Sequence, residues 1–153
     1  MRTHTSVMPN GTGYFKAFED TLATRSDRFT ALMDTETKSL IMDGSDVVGV
    51  NAVGKAGNKV TLYAKKGVIL ATGGFAGNVQ MRQKYCQTGK WPDLSEKVIT
   101  TNVASVTGDG IYMAQDASAQ LINMEQIQLL PYANPWTGAT SDITLTYSAS
   151  IYI

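Results

Sequence analysis

The stretch KKGVILATGGFAGN, residues 65–78, constrains this chain more than any other. Gly67–Ala71 does not alternate apolar with polar residues. A strand apolar on both faces belongs inside a covered, parallel sheet. Two adjacent glycines follow directly, and glycine lets a ligand approach the main chain with no Cβ in the way. In open parallel sheets the carboxyl ends of the strands form the edge where ligands settle. Thr72, Gly73 and Gly74 are therefore candidates for contact with a nucleotide-like cofactor. The competing reading is that the two glycines only make a tight strand-to-helix turn.

Upstream, Phe15, Phe18 and Leu22 fall at helical spacing, which predicts a helix over Tyr14–Thr24 with Asn10 or Thr12 as its cap. Phe29–Met33 reads as a short strand. Leu40 and Met42 alternate with Ser39 and Ile41, and Asp43-Gly44 is a turn signal. Val48, Val50 and Ala52 share a face, GKAGN turns the chain, and Val60, Leu62 and Ala64 alternate again. Three alternating strands with tight connections predict an antiparallel meander over about residues 37–66, open to water on one face.

Downstream, NVQMRQKYC is helix-like and TGKWPDLSEK is a loop. A second helix starts at Thr107 or Asp109, with Ile111, Ala114 and Ala117 on one side. Ala119–Met124 reads as another strand. The small residues of VTGDGI open a helix whose first amides are unpaired and suit an anion or a polar ligand edge. Asp109 can accept a hydrogen bond from a ligand or cap its own helix, and spacing favours the cap. The closing ITLTYSASIYI is rich in β-formers and has no polar tail, as in a chain cut in mid-domain.

Several function classes are excluded. Lys+Arg and Asp+Glu number 13 each in 153 residues with no basic block, so the electrostatic footprint of a nucleic-acid binder is missing. No apolar run reaches the ~20 residues of a membrane span, and the first residues carry no signal-peptide core. Cys86 is the one cysteine and His4 the one histidine. No disulfide framework or His-based triad follows from these, no metal site is expected, and no pair of carboxylates is spaced for acid–base work.

The meander, ATGG, then TTNVASVTGDG, then Gln-x-x-Pro at 128–131 occur in an order that resembles the FAD-binding flavoproteins of the fumarate reductase/succinate dehydrogenase type. The resemblance covers nearly the whole chain and implies an α/β fold. Residues 1–126 would be the middle part of a Rossmann-like FAD-binding domain, with central parallel strands and the meander as an excursion between two of them. Residues 127–153 would begin a capping domain. The resemblance places Ala71, Thr72, Gly73 and Gly74 beside FAD and raises Asp109 from helix cap to cofactor neighbour. It runs Thr101 and Asn102 past the flavin side of the site. It also places Leu130 where fumarate reductases carry the histidine that binds the dicarboxylate substrate. Leucine offers neither donor nor charge, so the implied substrate is more apolar or is recognised by other means.

No G-x-G-x-x-G turn occurs in the chain, and no arginine matches the context of the family's proton donor. Two function classes follow. One is a fragment of an FAD-dependent oxidoreductase that moves a hydride to or from an activated carbon–carbon bond, the fragment alone binding FAD weakly and catalytically inactive. The other is a non-catalytic α/β module that keeps the flavoprotein framework and covers its exposed faces in a homo-oligomer. The cellular compartment, cytoplasmic or periplasmic or membrane-associated through segments outside this chain, is left open by the sequence.

Overall fold

The computed structural model describes residues 11–86, 91 and 93–129. The chain divides between Glu36 and Thr37 into two compact units. The first holds α1 (Thr12–Ala23). Its N-cap is Gly11, in the left-handed region at φ 78°, without a side-chain cap bond, so Thr12 is the first helical residue and not the cap. Asn10 lies outside the described residues. A Lys16–Asp20 ion pair supports the exposed side at i, i+4 spacing. No residue of α1 is buried, and Tyr14, Phe15 and Phe18 are all exposed. The strand expected at Phe29–Met33 is not formed: residues 29–32 are irregular and a turn follows at Met33–Asp34. Asp34 has a φ of 50°, which breaks extended geometry where that strand would end.

The second unit contains the meander of β1 (Thr35–Asp43), β2 (Asp46–Gly54) and β3 (Lys59–Tyr63), in the order β1-β2-β3. The boundary between the units falls within the first residues of β1. β2 and β3 are antiparallel, with Val50 opposite Leu62, Asn51 opposite Thr61 and Ala52 opposite Val60. The expected alternation is only partly visible in the burial. Ala52 is buried and Val48 and Val50 are half-buried; on the opposite face, expected to be wet, Asn51 is exposed but Gly49 is buried and Val47 and Val53 are half-buried. On that face Asn51 Nδ2 donates to Ser39 Oγ at 3.3 Å, and Thr61 Oγ1 donates to Asn51 Oδ1 at 3.1 Å. One side-chain ladder thus crosses all three strands and holds their register.

After the meander the chain is extended but unladdered. Residues 67–75 pair with no described strand, and Ile69 is 92% exposed. The expectation of a laddered parallel strand at Gly67–Ala71 is therefore not met. A strand apolar on both faces is held by neighbours on both edges, and no described segment supplies one. Ala119–Met124 is likewise irregular, with Asn123 at a φ of 55°.

Both downstream helices form: α2 (Val79–Tyr85) and α3 (Asp109–Asp116). The small core gathers around them, with Met81 and Leu94 each 1% exposed and Met113 buried on α3 beside Gly110. Among the described residues no helix is long and apolar enough to cross a membrane.

Candidate functional site

The glycine-bearing turn and the mouth of α3 lie against each other. Asn78 caps α2: its Oδ1 accepts from Met81 N at 3.0 Å, and its Nδ2 donates to Thr107 O at 2.9 Å. Gly77 N donates to Val106 O at 2.8 Å. A Cβ at Gly77 would lie 2.9 Å from Ala104 O, so the two segments approach through backbone alone. Gly108, the N-cap of α3, has a φ of 86°. A Cβ there would meet Met81 and come 3.0 Å from Phe75 Cβ. A Cβ at Gly110 would strike Thr72 Oγ1 and lie 3.1 Å from Thr72 Cβ. Three glycines therefore let residues 72–78 pack directly on residues 104–110.

The two glycines of the turn have different tasks. Gly73 sits at a φ of 80°, a left-handed conformation that the turn itself demands. Gly74 is outside that region, and among the described residues nothing beyond its chain neighbours lies within 4 Å of the Cβ it lacks. Gly74 lines a cleft of about 1110 Å³, and Gly73 does not. Thr101 and Asn102 line the same cleft. Thr72 is turned to Gly110, and Ala71 precedes it in the unladdered segment; neither lines the cleft. Asp109 is also off the cleft wall, exposed at the first position of α3, where its Oδ1 accepts from Thr107 Oγ1 at 2.9 Å. Gly108 is the cap, so the cap that spacing favoured for Asp109 is not formed. Leu130 lies outside the described residues.

The cleft wall is mainly apolar, with Phe75, Leu94, Ile99, Ile111, Met124 and Ile127 contributing. Among the described residues its charged members are Arg82 and Lys97, both cations, and no carboxylate lines it. Gln126 and Gln128 add carboxamides. Arg82 is 7% exposed, with Nη1 donating to Val98 O at 2.8 Å and Nη2 to Ser95 O at 3.1 Å. Outside the cleft, the Gln83 side-chain amide at 3.0 Å and Ser95 hold the Asp93 carboxyl below its ordinary value of 3.8. Among the described residues no cluster of three His, Cys, Asp or Glu side chains is placed to hold a metal.

Sequence reasoning missed Asn78, Met81 and Arg82. The signal was present: with Tyr85 they stand at i, i+3, i+4 and i+7, one helical face. An asparagine before the first turn is a cap signature, and an arginine on an otherwise inward face asks for a partner.

This arrangement has known relatives. The model of the FAD binding domain matches residues 2–146, nearly the entire chain. The chain belongs to the FAD binding domain family. It is 33% identical over 138 residues to the NADH:acrylate oxidoreductase of Vibrio harveyi, covering 90% of this chain and 13% of that protein. It is 39% identical over 107 residues to the urocanate reductase of Eggerthella lenta, covering 69% of this chain and 17% of that one. Among solved structures, the open conformation of a flavocytochrome c3 fumarate reductase superposes with a TM-score of 0.68. That likeness, at 24% identity over 91% of this chain and 23% of the other, shows the fold alone. The chain thus spans less than a fifth of the length of these two enzymes, and its α/β fold is that of a partial FAD binding domain.

Proposed function

We propose that this chain is the middle of the FAD binding domain of a reductase acting on an activated carbon–carbon double bond, with Gly74, Thr101 and Asn102 facing the flavin. One observation carries the reading: the bare main chain at Gly74 opens on an apolar cleft, with no atom of the described residues beyond its own chain neighbours within 4 Å of its missing Cβ. The residues fit the group. The cleft, at about 1110 Å³, lies just above the range of small-molecule sites, which run to ~1,000 Å³. Its cationic lining suits a ligand that carries phosphates and becomes electron-rich on reduction. When bound, the flavin supplies the hydride chemistry. The chain's own residues position it and exclude water: Phe75, Ile99 and Ile127 furnish apolar surface, and the amides of the Gly74 turn approach without hindrance. Thr72 supports that wall from behind through its packing on Gly110, and Ala71, Gly73 and Asp109 flank that contact in sequence.

In the same reading, residues 1–126 belong to the FAD domain and residues 127–153 enter the capping domain. The relatives' names mention acrylate, urocanate and fumarate. With Leu130 in place of a histidine, the preferred substrate is an unsaturated acid with an apolar group where fumarate has its second carboxylate. Exposed apolar residues, Ile69 foremost, are covered by further chain or by a second copy.

The test is a titration of the purified chain with FAD, followed by flavin fluorescence. Saturable quenching that desalting removes is expected, because the chain carries a flavin-facing wall but no glycine-rich pyrophosphate turn. Absence of quenching at every FAD concentration contradicts the proposal.

A further inference from the structure

We propose that Arg82 is the positioning residue of the cleft, placing the Thr100–Asn102 wall opposite the Gly74 turn. Arginine is almost never buried unless it is paired, yet Arg82 is 7% exposed and has no carboxylate within ion-pair distance among the described residues. Its Nε is buried without a hydrogen-bond partner among the described residues. An uncompensated internal charge is costly, and an apolar side chain of similar length would fill the same space without that penalty. What offsets the penalty is the fork. Nη1 and Nη2 donate to two carbonyls, Val98 O and Ser95 O, three residues apart on one loop, a geometry that lysine cannot match.

The loop depends on that fork. Its own backbone contributes a bond from Val98 N to Ser95 O at 3.0 Å. Four residues beyond Val98, Asn102 N and Nδ2 reach no further than Thr100 Oγ1, at 3.1 and 3.3 Å. Among the described residues, Arg82 makes the one hydrogen-bonded connection between residues 95–102 and a helix. α2, which carries Arg82, is itself tied to the α3 mouth through Asn78. One short helix thereby fixes both walls of the cleft.

The placement of the loop stands on these contacts alone; its bearing on flavin rests on the reading in the preceding section. The test compares the unaltered chain with R82M and R82K by amide hydrogen exchange, FAD fluorescence quenching and thermal melting. In folded R82M, exchange at Val98 and Asn102, the loop amides that hold a hydrogen bond, rises about tenfold while amides of β2 and β3 are unchanged. FAD affinity falls about tenfold per folded molecule. R82K, whose ammonium reaches one carbonyl, recovers part of both. Unchanged exchange at Val98 and Asn102 in R82M overturns the proposal. So does a rise spread equally over the meander, which marks global destabilisation. Should R82M fail to fold, the same comparison on R82K decides. If the unaltered chain does not quench FAD, the flavin reading fails, and the exchange result still decides the role of Arg82.

Discussion

Gly73 and Gly74 adjoin in sequence and separate in role, and substitution tells them apart. Gly73→Ala forces a left-handed residue, at about 1–2 kcal/mol, so its melting temperature falls. Gly74→Ala meets open space and leaves the melting temperature nearly unchanged, but its methyl group stands on the cleft wall and weakens FAD quenching. Gly110→Ala drives a methyl into Thr72 and is expected to cost about 1–3 kcal/mol. The double variant Thr72→Ala/Gly110→Ala recovers part of that loss, a coupling that calorimetry of the four-member cycle measures. At Asp93 the folded carboxyl lies below its ordinary value, chiefly through Gln83. The unfolded chain therefore binds the extra proton first, and stability rises with pH across this range. The contribution is present above the unfolded pKa and lost as pH falls through the lower folded one. Asp93→Asn should flatten the dependence of melting temperature on pH between about 2 and 5.

Among the elements, α2 stands out for what it joins relative to its length. Asn78→Ala removes both the cap bond to Met81 N and the tie to Thr107 O, and should destabilise by about 1–3 kcal/mol in denaturant titration. The meander was legible because period-two alternation is a local signal: Val48, Val50 and Ala52 keep to one face, and Asp43-Gly44 and the GKAGN run supply the turns. Both downstream helices were legible from local sequence, α2 as the helix-like run NVQMRQKYC and α3 through the spacing of Ile111, Ala114 and Ala117 and its small opening residues. Caps were not. Gly11 and Gly108 enter the left-handed region, a backbone choice that the neighbouring Thr12 and Asp109 outcompete on propensity alone. Gly67–Ala71 failed differently. Its apolar pattern describes a strand with neighbours on both sides, and laddering depends on those neighbours more than on the segment itself.

At the scale of the whole molecule, stability is uneven. Backbone amides of β2 and β3 are paired in register and should exchange slowly, whereas Val68–Ala71 should exchange near the rate of an unfolded chain. The candidate site was partly legible: ATGG and TGDG pointed to one place, and Thr72 does pack on Gly110. What local sequence does not carry is which atoms face the cleft, because that depends on contacts between segments some thirty residues apart, such as Asn78 with Thr107. Gly74, Thr101 and Asn102 are proposed to form a flavin-facing wall. The most direct test of that wall is an NMR titration of the isotope-labelled chain with FAD. Shifts concentrated at Gly74–Ala76 and Thr100–Asn102, with the meander silent, are the predicted result; shifts confined to the meander or to α1, with those residues unmoved, would contradict it.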